Sequence, residues 1–200
     1  MMNKEFFQAI EDRRSYYALS KEQVASDERI MEIVEHAVKY VPSAFNSQTT
    51  RVIVLLGEQH DKLWKLTTDT LRKVVPKENF SGTQEKMDLF SQAYGTILFF
   101  EDEEIVKGLQ EQFALYADNF PIWSEQTSGM HQFAIWTGLE IEGFGASLQH
   151  YNPLIDEDVR KEWNVPTTWR LRAQMPFGKP ASKPGDKEFK PLDERVKLYK

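Results

Sequence analysis

The sequence predicts a layered domain of helices and strands, α+β or α/β in class, and three observations lead there. Segments with helical apolar spacing outnumber strand-like runs by about two to one. Two short unbroken apolar runs, 52–56 and 96–100, have the length and composition of buried strands. The chain has 200 residues and no cysteine, a length that buries a large core without disulfides or metal.

Phe6, Phe7 and Ile10 mark one face of a first helix that runs to about Asp12. Ser26 is a helix cap followed by acidic first-turn residues, Asp27 and Glu28. Ile30, Ile33, Val34, Ala37 and Val38 then keep the i, i+3, i+4, i+7, i+8 spacing of an amphipathic helix, with Pro42 just past its end. The run 52–56 is a strand closed by Gly57. Leu63, Leu66, Thr70, Leu71 and Val74 give a third helix, stopped by Pro76. Residues 77–83 read as a loop, and Met87, Phe90 and Ala93 sit on a short helix after it.

The run 96–100 is a second strand, entered from Gly95. The acidic group Glu101, Asp102, Glu103 and Glu104 is placed to complement the N-terminal dipole of the next helix. That helix turns Ile105, Leu109, Phe113 and Tyr116 inward and ends before Pro121. The longest helical pattern, 124–142, is apolar on more than one face through Met130, Phe133, Ala134, Ile135, Trp136, Leu139 and Ile141. In so short a chain that places the helix at a subunit interface. Gly143 and Gly145 end it, 146–151 is extended, Asn152-Pro153 closes that stretch, 156–163 is a helix and 169–175 a third strand. Past Gly178 no period persists, yet Phe189, Leu192, Val196, Leu198 and Tyr199 remain, as expected of a tail that packs on a partner subunit.

The 31 acidic residues exceed the 25 basic ones and no strongly basic segment stands out, which argues against a nucleic-acid partner. Neither an 18-residue apolar stretch nor a basic-then-apolar leader is present, so the chain reads as a soluble cytoplasmic protein with no membrane partner. His36, His60, His131 and His150 show no i, i+4 pairing, which makes a metal site improbable. No dinucleotide glycine fingerprint, phosphate-loop lysine motif or hydrolase elbow occurs. The 13 Phe, 7 Tyr and 5 Trp suit core and interface packing, and equally a flavin or aromatic-substrate pocket.

Two polar clusters fall where helices end. Arg13-Arg14-Ser15 offers two guanidinium forks and a hydroxyl, the donors that suit a phosphate. Ser43, Asn46 and Gln48 follow Pro42 and carry the donors and acceptors that read an amide-rich ring edge. Together they point to a phosphorylated heterocyclic cofactor, which leaves the protein to supply position and electrostatics. Plainer roles suit the same residues: the arginines as C-terminal dipole partners of the first helix, Ser43 and Asn46 as turn residues, Gln149 as a sheet-edge pair.

Arg13-Arg14-Ser15, Ser43-x-x-Asn46-x-Gln48, the run from Gly145 through Leu148-Gln149-His150-Tyr151 to Pro153, and the segment 112–126 resemble the FMN-dependent nitroreductase family. They are most similar to its short branch, which includes fungal stress-linked proteins and bacterial copper-induced nitroreductases. The resemblance implies one α+β domain over 1–200, with a mixed, mainly antiparallel sheet flanked by helices. It implies an intertwined homodimer with a long central interface helix, a tail of about 178–200 packed on the partner, and one FMN in each of two interface clefts.

By that resemblance Arg13 and Ser15 hold the phosphate and ribityl chain with Arg14 beside them, and Lys187 is a basic position near the phosphate. Ser43, Asn46 and Gln48 reach the flavin from the other subunit. Leu148 packs on the ring face, and Gln149, His150 and Tyr151 run near flavin N5. The implied activity passes hydride from NAD(P)H through N5 to nitroaromatic or quinone-like acceptors by a ping-pong mechanism. No protein side chain is catalytic in that scheme, with His150 a candidate proton donor or else a packed or solvent-facing histidine. Tyr17 stands where many members carry a basic residue. That departure supports an alternative, an FMN-binding redox-responsive regulatory protein with little turnover.

Overall fold

The computed structural model describes residues 5–200. Helices α1 (Phe6–Asp12), α2 (Asp27–Tyr40), α3 (Glu58–Val74), α4 (Phe80–Ser91), α5 (Glu103–Gln112), α6 (Asn119–Ile141) and α7 (Asp156–Trp163) are interspersed with five strands. These are β1 (Leu19–Ser20), β2 (Thr50–Leu56), β3 (Gly95–Asp102), β4 (Gly145–Ala146) and β5 (Trp169–Pro180). They form one sheet in the order β1-β5-β3-β2, β4 also pairs β5, and each of these strand pairs is antiparallel.

Every residue of β3 is buried, because β2 and β5 flank it and helices cover both faces. Its side chains alternate as a pleated strand requires. Ile97 and Phe99 pack with Ile30, Ile33 and Val34 of α2 and Ile135 and Leu139 of α6. Leu98 and Phe100 pack on the opposite face with Leu63, Trp64 and Leu71 of α3, Phe90 of α4 and Val159 of α7. Each such side chain contributes about 1.5–3 kcal/mol when fully buried, so the two layers hold the sheet from both sides.

The start of α2 is capped as its sequence predicts: Ser26 Oγ accepts from Arg29 N at 3.2 Å, with Asp27 and Glu28 in the first turn. Other elements depart from expectation. Helix α6 begins before Pro121, whose missing N–H costs nothing in a first turn. Accordingly α5 stops at Gln112, and a 3-10 turn, Ala114–Tyr116, follows it. The expected loop 77–83 is a 3-10 turn, Lys77–Asn79, running into α4. Strand β5 continues to Pro180 because β4 and β1 pair with its far end, Gly145 opposite Gly178 and Leu19 opposite Pro180.

The acidic group divides. Asp102 caps α5, accepting from Glu104 N at 3.2 Å, and Glu103 and Glu104 lie in its first turn. Glu101 does not face the helix dipole; it is fully buried in the sheet.

Helix α6 carries polar as well as apolar side chains on its buried face. It buries Ser124, Thr127, Ser128 and His131 against the sheet and exposes Ile122, Met130 and Phe133. Beyond β5 the chain runs along the N-terminal segment: Ala181 N donates to Ala18 O at 2.9 Å and Arg14 Nη2 donates to Gly185 O at 2.6 Å. Phe189, Leu192, Val196, Leu198 and Tyr199 are each exposed on this chain. Among the described residues no helix is long and apolar enough to cross a membrane.

Candidate functional site

Arg13 ends α1: its backbone N–H closes the last turn on Ala9 O, and the chain leaves extended. Ser15 then bridges Ala146 and Tyr16 N donates to Ala146 O at 2.9 Å, which ties the Arg13-Arg14-Ser15 corner to β4. The Arg13 guanidinium lies 4.4 Å from the Trp136 ring centroid. Burial, and secondarily the neighbouring Arg14, hold its pKa below the ordinary arginine value. Its Nε is buried with no hydrogen-bond partner. A partly desolvated cation with an idle donor has the chemistry of an anion site. A phosphate fits that donor set.

Arg14 does not serve the end of α1, since its guanidinium donates to Gly185 O. That contact brings the tail beside the corner, where Lys187 is exposed with Nζ 5.2 Å from the Phe189 ring centroid.

The segment after β4 is fastened to β5. Gln149 N donates to Gln174 O at 2.7 Å, and Gln174 N returns a bond to Gln149 O at 2.9 Å. The Gln174 side chain, fully buried, accepts from Tyr151 N at 2.7 Å and donates to Asn152 Oδ1 at 3.2 Å. Sequence reading missed Gln174; its only signal is an amide inside an otherwise apolar stretch of strand.

Leu148 packs beside the α2–α6 core layer. The Gln149 side chain turns back to Ser147 Oγ at 3.1 Å. Tyr151 stands edge-on to Trp64, ring centroids 5.9 Å apart, and burial, then Tyr17, push its hydroxyl up to about 12. His150 is exposed and its ring makes no hydrogen bond among the described residues. Tyr17 is half exposed, tilted against Phe90 at 6.2 Å.

The third cluster is a strained loop. Phe45, Asn46 and Gln48 have φ of 56°, 51° and 48°. Such left-handed backbone costs a non-glycine residue about 1–3 kcal/mol and persists only where the surroundings enforce it. Here Ser43 Oγ accepts from Gln48 N at 3.0 Å, and Arg51 Nη1 donates to Gln48 O at 2.7 Å. Phe45 sits among Phe113, Phe120 and Trp123, with centroids 4.9, 5.3 and 5.9 Å away. The Asn46 and Gln48 side chains are left exposed. Ser43 therefore shapes the turn, while the two amides are presented outward.

The register separates the clusters. Arg13-Arg14-Ser15 attaches through Ala146 and Phe177, opposite Gly95 and Leu56, whereas the loop enters β2 at Thr50, opposite Glu101. Thr50 and Leu56 lie six residue steps apart on one strand, about 20 Å at the usual rise. One chain joins Arg13, Arg14, Ser15 and the tail but does not bring Ser43, Asn46 and Gln48 to them.

The family model of the nitroreductase family matches residues 10–179. This chain belongs to the nitroreductase family. Nitroreductase CinD from Lactococcus lactis, in complex with chloramphenicol, superposes with a TM-score of 0.90 at 47% identity, covering 98% of this chain and 100% of that one. A nitroreductase from Saccharomyces cerevisiae does so with a TM-score of 0.77 at 31% identity, covering 87% and 94%. The nitroreductase FRM2 of the same yeast is 32% identical over 196 residues, 97% of this chain and 96% of its own. The helices and open antiparallel sheet are thus the nitroreductase fold, and the chain is a nitroreductase-type oxidoreductase of a family that generally uses a flavin.

Proposed function

We propose that two copies of this nitroreductase form a cytoplasmic homodimer with one FMN in each of two interface clefts. In this reading the enzyme carries hydride from NAD(P)H to nitroaromatic or quinone acceptors, which enter one cleft in turn by a ping-pong scheme. The observation that carries it is Arg13, half-buried, without a carboxylate partner among the described residues and with an idle Nε. When bound, FMN supplies the hydride-accepting and hydride-donating centre.

The protein's residues do the rest. Arg13, Arg14, Ser15 and Lys187 neutralise and orient the phosphate. Asn46 and Gln48 of the second chain, held by the Ser43 turn, supply the ring-edge contacts, since within one chain their loop and the Arg13 corner attach at sheet positions about 20 Å apart. Leu148 covers a ring face, and the backbone of 149–151, held by Gln174, closes the side where hydride arrives. The Tyr151 hydroxyl keeps its proton throughout the neutral range, so it donates and does not act as a base. His150, exposed beside this segment, is the side chain available there as a proton donor.

Dimerisation is supported by the exposed Met130 and Phe133 on α6 and by the apolar residues of the tail, which a partner surface would cover. The acceptor class is supported by CinD, solved with chloramphenicol and with 4-nitrophenol, both nitroaromatics. Its complex with nicotinic acid supports docking of a nicotinamide ring in the same protein family. The test is a visible absorption spectrum of the purified protein, then NADPH and NADH oxidation with 4-nitrophenol or a quinone. Flavin bands with acceptor-dependent turnover are expected. Colourless protein that takes up no FMN overturns the assignment, and bound flavin without turnover favours the regulatory alternative.

A further inference from the structure

Glu101 is a carboxylate with no exposure and no lysine or arginine within ion-pair distance among the described residues. It stands between Phe100 and Asp102 in β3, and a carboxyl group taken out of water is costly to the fold. Both of its oxygens are nevertheless engaged. Thr50 Oγ1 donates to Oε1 and Ser124 Oγ donates to Oε2, each at 2.6 Å. His131 joins behind them: its Nδ1 lies 2.9 Å from Thr127 O, which only accepts, and 3.2 Å from Thr50 Oγ1. The proton therefore sits on Nδ1, and the Thr50 hydroxyl is free to donate onward to Glu101.

The two donors flank the strained loop. Thr50 lies two residues beyond Gln48, and Ser124 follows Trp123, which stacks on Phe45 with the ring planes 22° apart. The adjacent Asp102 braces the outer side of the same segment. Its Oδ2 holds Arg51 Nη2 at 3.2 Å, Arg51 Nη1 holds Gln48 O, and Asp102 N donates to Thr49 O at 2.9 Å. Glu101 thus pins β2 to α6 at the place where three left-handed residues must be held between them.

We infer that Glu101 is a positioning residue for the cofactor: it clamps Thr50 and Ser124 so that the 43–48 loop presents Asn46 and Gln48 in the geometry that FMN binding needs. This rests on the flavin reading above and adds a residue that touches neither cofactor nor substrate. The role is one of shape and hydrogen bonding. Glutamine substitutes for it, because its carbonyl accepts one hydroxyl while its amide donates to the other, which turns round.

The experiment measures FMN dissociation constants by flavin fluorescence for wild type, Glu101→Ala, Glu101→Gln, Asn46→Ala and the Glu101→Ala/Asn46→Ala double variant, with thermal melts alongside. Glu101→Ala is expected to weaken FMN about tenfold and Glu101→Gln by no more than about threefold. Asn46→Ala weakens binding in the wild-type background but adds less than about twofold once Glu101 is gone, since coupled residues are not additive. Should Glu101→Ala fail to fold, Ser124→Ala and Thr50→Val each remove one hydroxyl and are read in the same cycle. Unchanged FMN affinity in the folded variants, or losses that multiply fully with Asn46→Ala, overturn the inference. A wild-type protein that takes up no FMN overturns the flavin reading itself, and the two failures are told apart by that first measurement.

Discussion

Replacing Arg13 by alanine separates a cofactor role from a structural one, because the two make opposite demands on the unliganded chain. In the folded protein the guanidinium is partly desolvated, is repelled by Arg14 and leaves Nε idle. Among the described residues its favourable side-chain contact is the Trp136 ring at 4.4 Å, worth about 0.5–1 kcal/mol at a partly exposed site. The unliganded stability should therefore move by no more than about 1 kcal/mol in either direction.

Toward a phosphate, a charge-assisted hydrogen bond contributes about 1.5–3 kcal/mol, so the loss of one such bond costs roughly that much. At 1.4 kcal/mol per factor of ten, the FMN dissociation constant rises roughly 10- to 100-fold, and further if two bonds are lost. Riboflavin, which has the ring and lacks the phosphate, should lose almost nothing. Urea unfolding of the flavin-free protein and parallel titrations with FMN and riboflavin measure all three quantities. Equal losses for the two flavins, or an unfolded variant, would refute a phosphate role for Arg13.

Two further predictions concern stability. His60 is buried with its Nδ1 against Thr96 Oγ1 at 2.9 Å, and burial lowers its pKa to about 4. The folded state thus binds fewer protons than the unfolded state, whose histidine titrates near 6.5. Stability is full above about pH 6.5 and falls as pH drops toward 4, by about 1.4 kcal/mol per unit and roughly 3 kcal/mol in all. Urea unfolding between pH 7.5 and 4.5 should show that slope, and His60→Gln should flatten it; an unchanged slope contradicts the assignment. Gly178→Ala should destabilise the fold by about 1–3 kcal/mol, because its Cβ would meet Ser20 O at 2.6 Å and Tyr94 N at 2.9 Å, both backbone atoms. Denaturant midpoints within error of wild type would show that this end of β5 moves freely.

The elements legible in the sequence are those whose signal is local. The α2 cap at Ser26 and its apolar face, and the apolar runs within β2 and β3, carry their own periodicity and end signals. What escaped depends on distant pairing. Nothing in Leu19-Ser20 announces a strand, and β5 reaches Pro180 only because β1 and β4 lie beside it. Pro121 was a poor stop signal because proline is as welcome in a first turn as it is past a last one.

The site shows the same division. The residue types at 13–15 and 43–48 state their chemistry, but three positive φ values within four non-glycine residues do not show in a sequence, asparagine apart. Glu101 looked like one more carboxylate at a helix start. Only the register that sets Thr50 opposite it, and the fold that carries Ser124 over it, make it a buried acceptor.

A mixed dimer tests most directly whether each cofactor seat is shared between chains. One chain would carry Arg13→Ala and the other Asn46→Ala with Gln48→Ala, so that every heterodimer has one seat with all its native residues and one with neither half intact. Co-expressed and purified through different tags, it should bind one FMN per two chains with wild-type affinity, although each parent homodimer binds weakly. Affinity no better than that of the parents would mean that both clusters serve a seat within a single chain, or none.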